Sequence, residues 1–264
     1  MYFKKGACKN MGRATKIITV AGKGGVGKTS ISATIVKLLT ERFSDARILA
    51  IDADPAIGLS TALGVEVTKT IDDIRKSILE NVQSGNSKQA IELLGEARYR
   101  IFDAMVEMKG FSFIAIGRPE AAGCYCTINA YLKDVISILS EEFDYVVIDG
   151  EAGIEQINRR VMEKVTHLIL ITDPSKKGTQ VIATIKRVAD ELVMYKKIGV
   201  IVNRMNDDSL REYIDCKDVQ VLSYIADDPK LALCDVRGES VFGLPASSNI
   251  VKGVELALEK LEVI

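Results

Sequence analysis

The chain has 264 residues, a formal net charge of −1, 47% hydrophobic and 27% charged residues, the composition of a globular domain able to bury one large core. A near-neutral balance supplies no global basic field for nucleic acid or an anionic membrane, and no apolar run is long enough to span a bilayer. The basic residues between Met1 and Lys16 lead into no apolar signal segment, so the expected location is cytoplasmic, with neither a nucleic-acid nor a membrane partner.

Residues 1–15 lack periodicity and are expected to form an N-terminal extension, with a single domain over 16–264. The apolar run Lys16–Ala21 predicts a buried strand, and apolar spacing from Ser30 to Leu39 predicts a helix. Between them Gly22-Lys23-Gly24-Gly25-Val26-Gly27-Lys28-Thr29 fills the pattern G-x-x-x-x-G-K-[ST]. A glycine-rich turn there lets successive backbone N–H groups converge on phosphate, and the helix adds the positive end of its dipole. Lys28 is expected on the β- and γ-phosphates and Thr29 on Mg²⁺, with Ser30 the next residue of the helix start. Lys23 stands where Lys28 already serves the chain's own nucleotide, and so is placed to reach outward.

The next strand, Arg47–Asp52, runs into Asp52-Ala53-Asp54-Pro55. Carboxylates at the carboxyl edge of a strand beside a phosphate loop can hold Mg²⁺ through water and orient the attacking water. Residues 70–109 show mostly helical spacing broken at Ser84-Gly85-Asn86-Ser87, read as a helical insertion shaping a partner face. After the strand Phe111–Ile116 comes Gly123-Cys124-Tyr125-Cys126. Two cysteines one residue apart make a poor disulfide but can aim two thiolates at one point. That is half a tetrahedral shell, and a two-fold axis would supply the other half from a second chain. Thiolate softness admits nickel, zinc or an iron–sulfur cluster. The strand Asp144–Asp149 followed by Gly150-Glu151-Ala152-Gly153-Ile154-Glu155 has the form of Walker B and switch II. Asp149 would hold the Mg²⁺ water shell while Gly150 and Gly153 let the backbone swing. Further strands are expected at His167–Thr172, Ile198–Asn203 and Gln220–Ile225, the fifth, sixth and seventh of an α/β fold whose mainly parallel sheet carries helices on both faces. The amphipathic C-terminal stretch from Val251 is not basic, as expected of a helix packed on the sheet.

With lysine after its first glycine, the octet resembles the deviant Walker A loop of the SIMIBI-class P-loop NTPases that include MinD, ParA and nitrogenase iron protein. The resemblance implies that Lys23 contacts the nucleotide of a second subunit, that Asp54 is the hydrolytic aspartate of switch I with Asp52 a supporting or metal-shell group, and that Asn203 reads adenine. Together with Arg118-Pro119, Cys124-Tyr125-Cys126 and the switch II segment, the chain resembles the CooC-type ATPases from about Lys16 to its end. That resemblance implies a homodimer using ATP/ADP and Mg²⁺, Ni²⁺ or Zn²⁺ bound by Cys124 and Cys126 at the dimer interface, and a client nickel enzyme, carbon monoxide dehydrogenase or acetyl-CoA synthase. The extension with Cys8, and the carboxylate of Glu151, depart from the family pattern. Two other readings are an iron–sulfur-bridged reductase like nitrogenase iron protein and a positioning ATPase like MinD or ParA.

Overall fold

A computed structural model of the chain describes residues 14–54, 56, 58–84, 92, 95–117, 126–150, 165–216 and 219–264. Its strands are β1 (Lys16–Gly22), β2 (Ile48–Asp52), β3 (Val106–Met108), β4 (Phe111–Ala115), β5 (Tyr145–Asp149), β6 (His167–Thr172), β7 (Lys197–Asn203) and β8 (Val221–Ile225). They form one sheet in the order β3-β4-β2-β5-β1-β6-β7-β8. Every described pairing is parallel except β3 with β4. The helices are α1 (Lys28–Arg42), α2 (Gly58–Leu63), α3 (Ile71–Gln83), α4 (Ala97–Ala104), α5 (Cys126–Ser140), α6 (Lys176–Leu192), α7 (Pro229–Arg237) and α8 (Asn249–Lys260).

Parallel strands covered on both faces read as continuous apolar runs, and alternate residues then feed two cores. Leu49 and Ile51 face a core with Ile74 of α3, Ile136 of α5 and Ile182 of α6. Ile48 and Ala50 face the other, with Ile35 and Leu39 of α1 and Val254 and Leu258 of α8. Each such side chain contributes roughly 1.5–3 kcal/mol when fully buried. The apolar face of α8 is thus spent on the sheet: Ile250, Val251, Val254, Ala257 and Leu258 are all buried.

One part of the sequence reading is corrected. Residues 106–108, read with the helical stretch of 70–109, form the antiparallel edge strand β3 instead. The cause is local: Lys109-Gly110 closes a two-residue hairpin, with Gly110 at φ +92° and Met108 opposite Phe111. Three residues are too few for strand periodicity to show against the helical pattern before them.

The chain passes from β1 through α1 to β2 on one side, and later from β5 to β6 on the other. The crossovers diverge at β1, so the crevice where such folds collect ligands lies at its carboxyl end.

Candidate functional site

The phosphate-loop octet occupies that crevice. Gly22 has φ +153°, and a Cβ on it would stand 2.2 Å from the Ile171 carbonyl oxygen of β6, so the loop leaves the sheet where only glycine fits. Gly27 precedes α1 at φ +91°, and no side chain caps the helix. Among the described residues the first-turn N–H groups of α1 therefore have no capping side chain, and no acidic residue occupies that turn. This is the arrangement that favours a bound phosphate.

Both loop lysines are engaged within the chain. Lys28, only 8% exposed, points its Nζ at the Lys23 carbonyl at 3.2 Å. The Nζ of Lys23 donates to Asp173 Oδ2 at 2.7 Å, just beyond β6. Asp173 also accepts the backbone N–H and hydroxyl of Ser175, whose Oγ caps α6 by accepting the Gly178 N–H at 3.0 Å. Burial raises the Asp173 pKa, but these donors outweigh it and hold the carboxyl below its ordinary range. Sequence reasoning missed Asp173; a strand-ending Asp-Pro-Ser on the neighbour of β1 was the available signal.

Three acidic residues gather beside the loop. β2 and β5 align Asp52 with Asp149. Asp149 accepts the Ser32 hydroxyl on Oδ1 at 2.9 Å, while its buried Oδ2 has no hydrogen-bond partner among the described residues. Burial pushes its pKa up to about 6, against the opposing pull of the Thr29 and Ser32 hydroxyls and the Lys28 charge. An orphaned buried carboxylate oxygen facing a threonine hydroxyl fits a hard divalent cation, so Thr29 and Asp149 are the residues that would hold Mg²⁺ or its water shell. Asp52 spends its oxygens on the chain that follows, accepting the Asp54 N–H on Oδ1 at 3.1 Å and the Leu59 N–H on Oδ2 at 2.9 Å. Burial, then the charge of Asp149, pushes its pKa up to about 7. Asp54 accepts the Ala56 N–H at 2.9 Å, closing a turn toward α2.

A second recess, about 370 Å³, adjoins Gly27 and Ser30 and is bounded by Asn203, Arg204, Asp227 and Pro229. Asn203 Nδ2 donates to the Val26 carbonyl at 2.8 Å, leaving the amide oxygen as its remaining acceptor. Arg204 holds φ +61°, a strained value for a non-glycine residue and typical of ligand sites. Asn206 and Asp227 clamp the far wall: the Asp227 N–H donates to Asn206 Oδ1 at 2.9 Å, and Asn206 Nδ2 donates back at 2.6 Å.

Arg118, Pro119, Cys124 and residues 151–155 lie outside the described residues, and of Cys126 only the backbone, the first residue of α5, is described. Among the described residues no three His, Cys, Asp or Glu side chains cluster as a metal site. Among them, too, no helix is long and apolar enough to cross a membrane.

A loop of this geometry at the carboxyl end of a central parallel strand defines a nucleotide-binding α/β domain. Residues 17–241 match the CobQ/CobB/MinD/ParA nucleotide binding domain, and the chain belongs to that family. It is 36% identical to an uncharacterized ATP-binding protein of Methanocaldococcus jannaschii over 93% of this chain and 98% of the other. It is 31% identical to the carbon monoxide dehydrogenase accessory protein CooC of Rhodospirillum rubrum, over 71% of this chain and 74% of that one. The fold superimposes on the cell division ATPase MinD of Pyrococcus furiosus with a TM-score of 0.67 at 22% identity, covering 94% of this chain and 99% of MinD.

Proposed function

We propose that the chain is an ATP-hydrolysing dimeric maturation factor that carries a metal between paired Cys124-Tyr125-Cys126 segments and assists nickel insertion into carbon monoxide dehydrogenase or acetyl-CoA synthase. The observation that carries the ATP switch is the uncapped start of α1, with Lys28 and Lys23 both within the loop. In this reading Lys28 and the loop N–H groups of Gly22–Thr29 hold the β- and γ-phosphates, and Lys23 leaves Asp173 to reach the partner's nucleotide. Asn203 accepts from the adenine amino group, Asp54 orients water, and Asp149 holds the Mg²⁺ shell with Thr29. Bound Mg²⁺ supplies charge neutralisation at the phosphates. Closure brings four thiolates together, and hydrolysis separates them to release the metal.

The cysteine pair and the likeness to CooC support nickel as cargo. The burial of the α8 apolar face disfavours a membrane-positioning role, since that helix has no free amphipathic face to lay on lipid. The test is anaerobic purification with elemental analysis, an absorption spectrum and the solution mass, with and without Mg-ADP. About one nickel or zinc per dimer, lost in Cys124→Ser/Cys126→Ser with nucleotide binding intact, supports the reading. Four irons per dimer with a broad visible band favours the reductase, and no thiol-dependent metal favours the positioning ATPase.

A further inference from the structure

A groove of about 710 Å³ opens at the amino ends of β2 and β4, on the edge of the sheet away from the phosphate loop. Its walls include Phe102, Met105, Met108, Phe111 and Phe143, and Arg47, Glu107 and Glu142 also line it. Phe102 is 44% exposed, and Tyr99, one turn earlier on α4, is 73% exposed. The volume lies within the range of about 300–1,000 Å³ found for pockets that enclose bound groups. Exposed aromatics beside adaptable methionines mark an interaction surface.

We propose that this groove seats residues Met1–Arg13 of the same chain. Thr15 Oγ1 donates to the Phe143 carbonyl at 2.9 Å and the Lys16 N–H to the Asp144 carbonyl at 2.9 Å. The chain therefore joins the sheet at the groove wall. Lys16 pairs with Tyr145, which pairs with Ile48 of the groove, two strand spacings or roughly 10 Å away. Residues 1–13 can extend over roughly 40 Å.

The segment carries Lys4, Lys5, Lys9 and Arg13 and no acid, so with −1 overall the remaining residues carry −5. Its Met1, Tyr2 and Phe3 offer apolar anchors for the aromatic and methionine walls, while Glu107, and Glu142 in exchange for its exposed 3.9 Å pairing with Arg47, meet its cations. A tether this short raises the effective concentration to the millimolar range, so weak contacts suffice.

The test uses the full chain with a photoreactive benzoylphenylalanine at position 3. Crosslinks within one chain to peptides holding Phe102–Phe111 or Glu142–Phe143 are the expected result. Crosslinks spread elsewhere, or joining two chains, overturn the proposal. A second variant, Phe102→Asp, alters an exposed residue remote from the phosphate loop. Tryptic cleavage after Lys4, Lys5 and Lys9 should be about fivefold faster in it than in the wild-type chain, with nucleotide affinity unchanged. Equal cleavage rates overturn the proposal as well.

Discussion

The ion pair between Lys23 and Asp173 ties the phosphate loop to the cap of α6, because the same carboxylate that receives Lys23 Nζ at 2.7 Å also holds Ser175, the α6 cap. The lysine is thereby occupied in cis, and any reach across a dimer has to break this pair. The partners are 29% and 25% exposed, so the pair is screened and worth at most about 1 kcal/mol. Asp173→Asn should tighten ATP-dependent self-association by about twofold to fivefold, and Lys23→Ala should lose it. Sedimentation velocity with and without a non-hydrolysable ATP analogue checks this; equal association in wild type and Asp173→Asn would show that the pair does not compete.

Lys28→Ala should cost nucleotide affinity at least about 100-fold, since a charge-assisted phosphate contact from a lysine only 8% exposed has no replacement. Calorimetric titration with Mg-ADP decides it, and ordinary affinity in the variant would sink the phosphate-loop assignment.

Asn203 commits one N–H of its Nδ2 to the Val26 carbonyl, and its amide oxygen is the group able to accept from a base. An acceptor suits a 6-amino purine and opposes a 6-oxo purine. Asn203→Ala should therefore weaken ATP binding by about tenfold and narrow the preference for ATP over GTP. Measured dissociation constants for both nucleotides provide the check; an unchanged ratio places base selection elsewhere in the recess.

Asp52 and Asp149 are raised from 3.8 to about 7 and about 6 in the fold. A carboxyl with a raised folded pKa stabilises most at low pH, and that stability is lost as pH climbs from the unfolded value through the folded one. His167 acts oppositely: burial, then Lys16 and Lys197, lower it from 6.5 to about 4, so its contribution grows as pH rises across that span. One carboxyl's effect remains after the other is offset. The nucleotide-free chain should lose about 1–3 kcal/mol between pH 4 and pH 7, and Mg-ADP should reduce the loss by favouring ionised carboxylates. Urea denaturation at several pH values measures it; stability that rises over this range would refute the assignment of these shifts.

Much of the fold was legible because its parallel strands are largely apolar runs, and β1, β2, β5, β6 and β7 each end in a polar or glycine residue, Gly22, Asp52, Asp149, Thr172 and Asn203. The antiparallel edge at Val106–Met108 was not, since three residues carry no period of their own. Cys124 and Cys126 were conspicuous as residues, but their spacing says nothing of what they face.

The octet Gly22–Thr29 determined by itself that the chain presents a phosphate loop, because glycine spacing and a following helix are local properties of neighbouring residues. Only the tertiary structure decided which distant side chains meet that loop. Asp173 lies 150 residues from Lys23, and Asn203 lies 177 from Val26. Such pairs are brought together by strand order, β6 beside β1 and β7 beside β6, and that order depends on the packing of helices over both faces rather than on any local pattern.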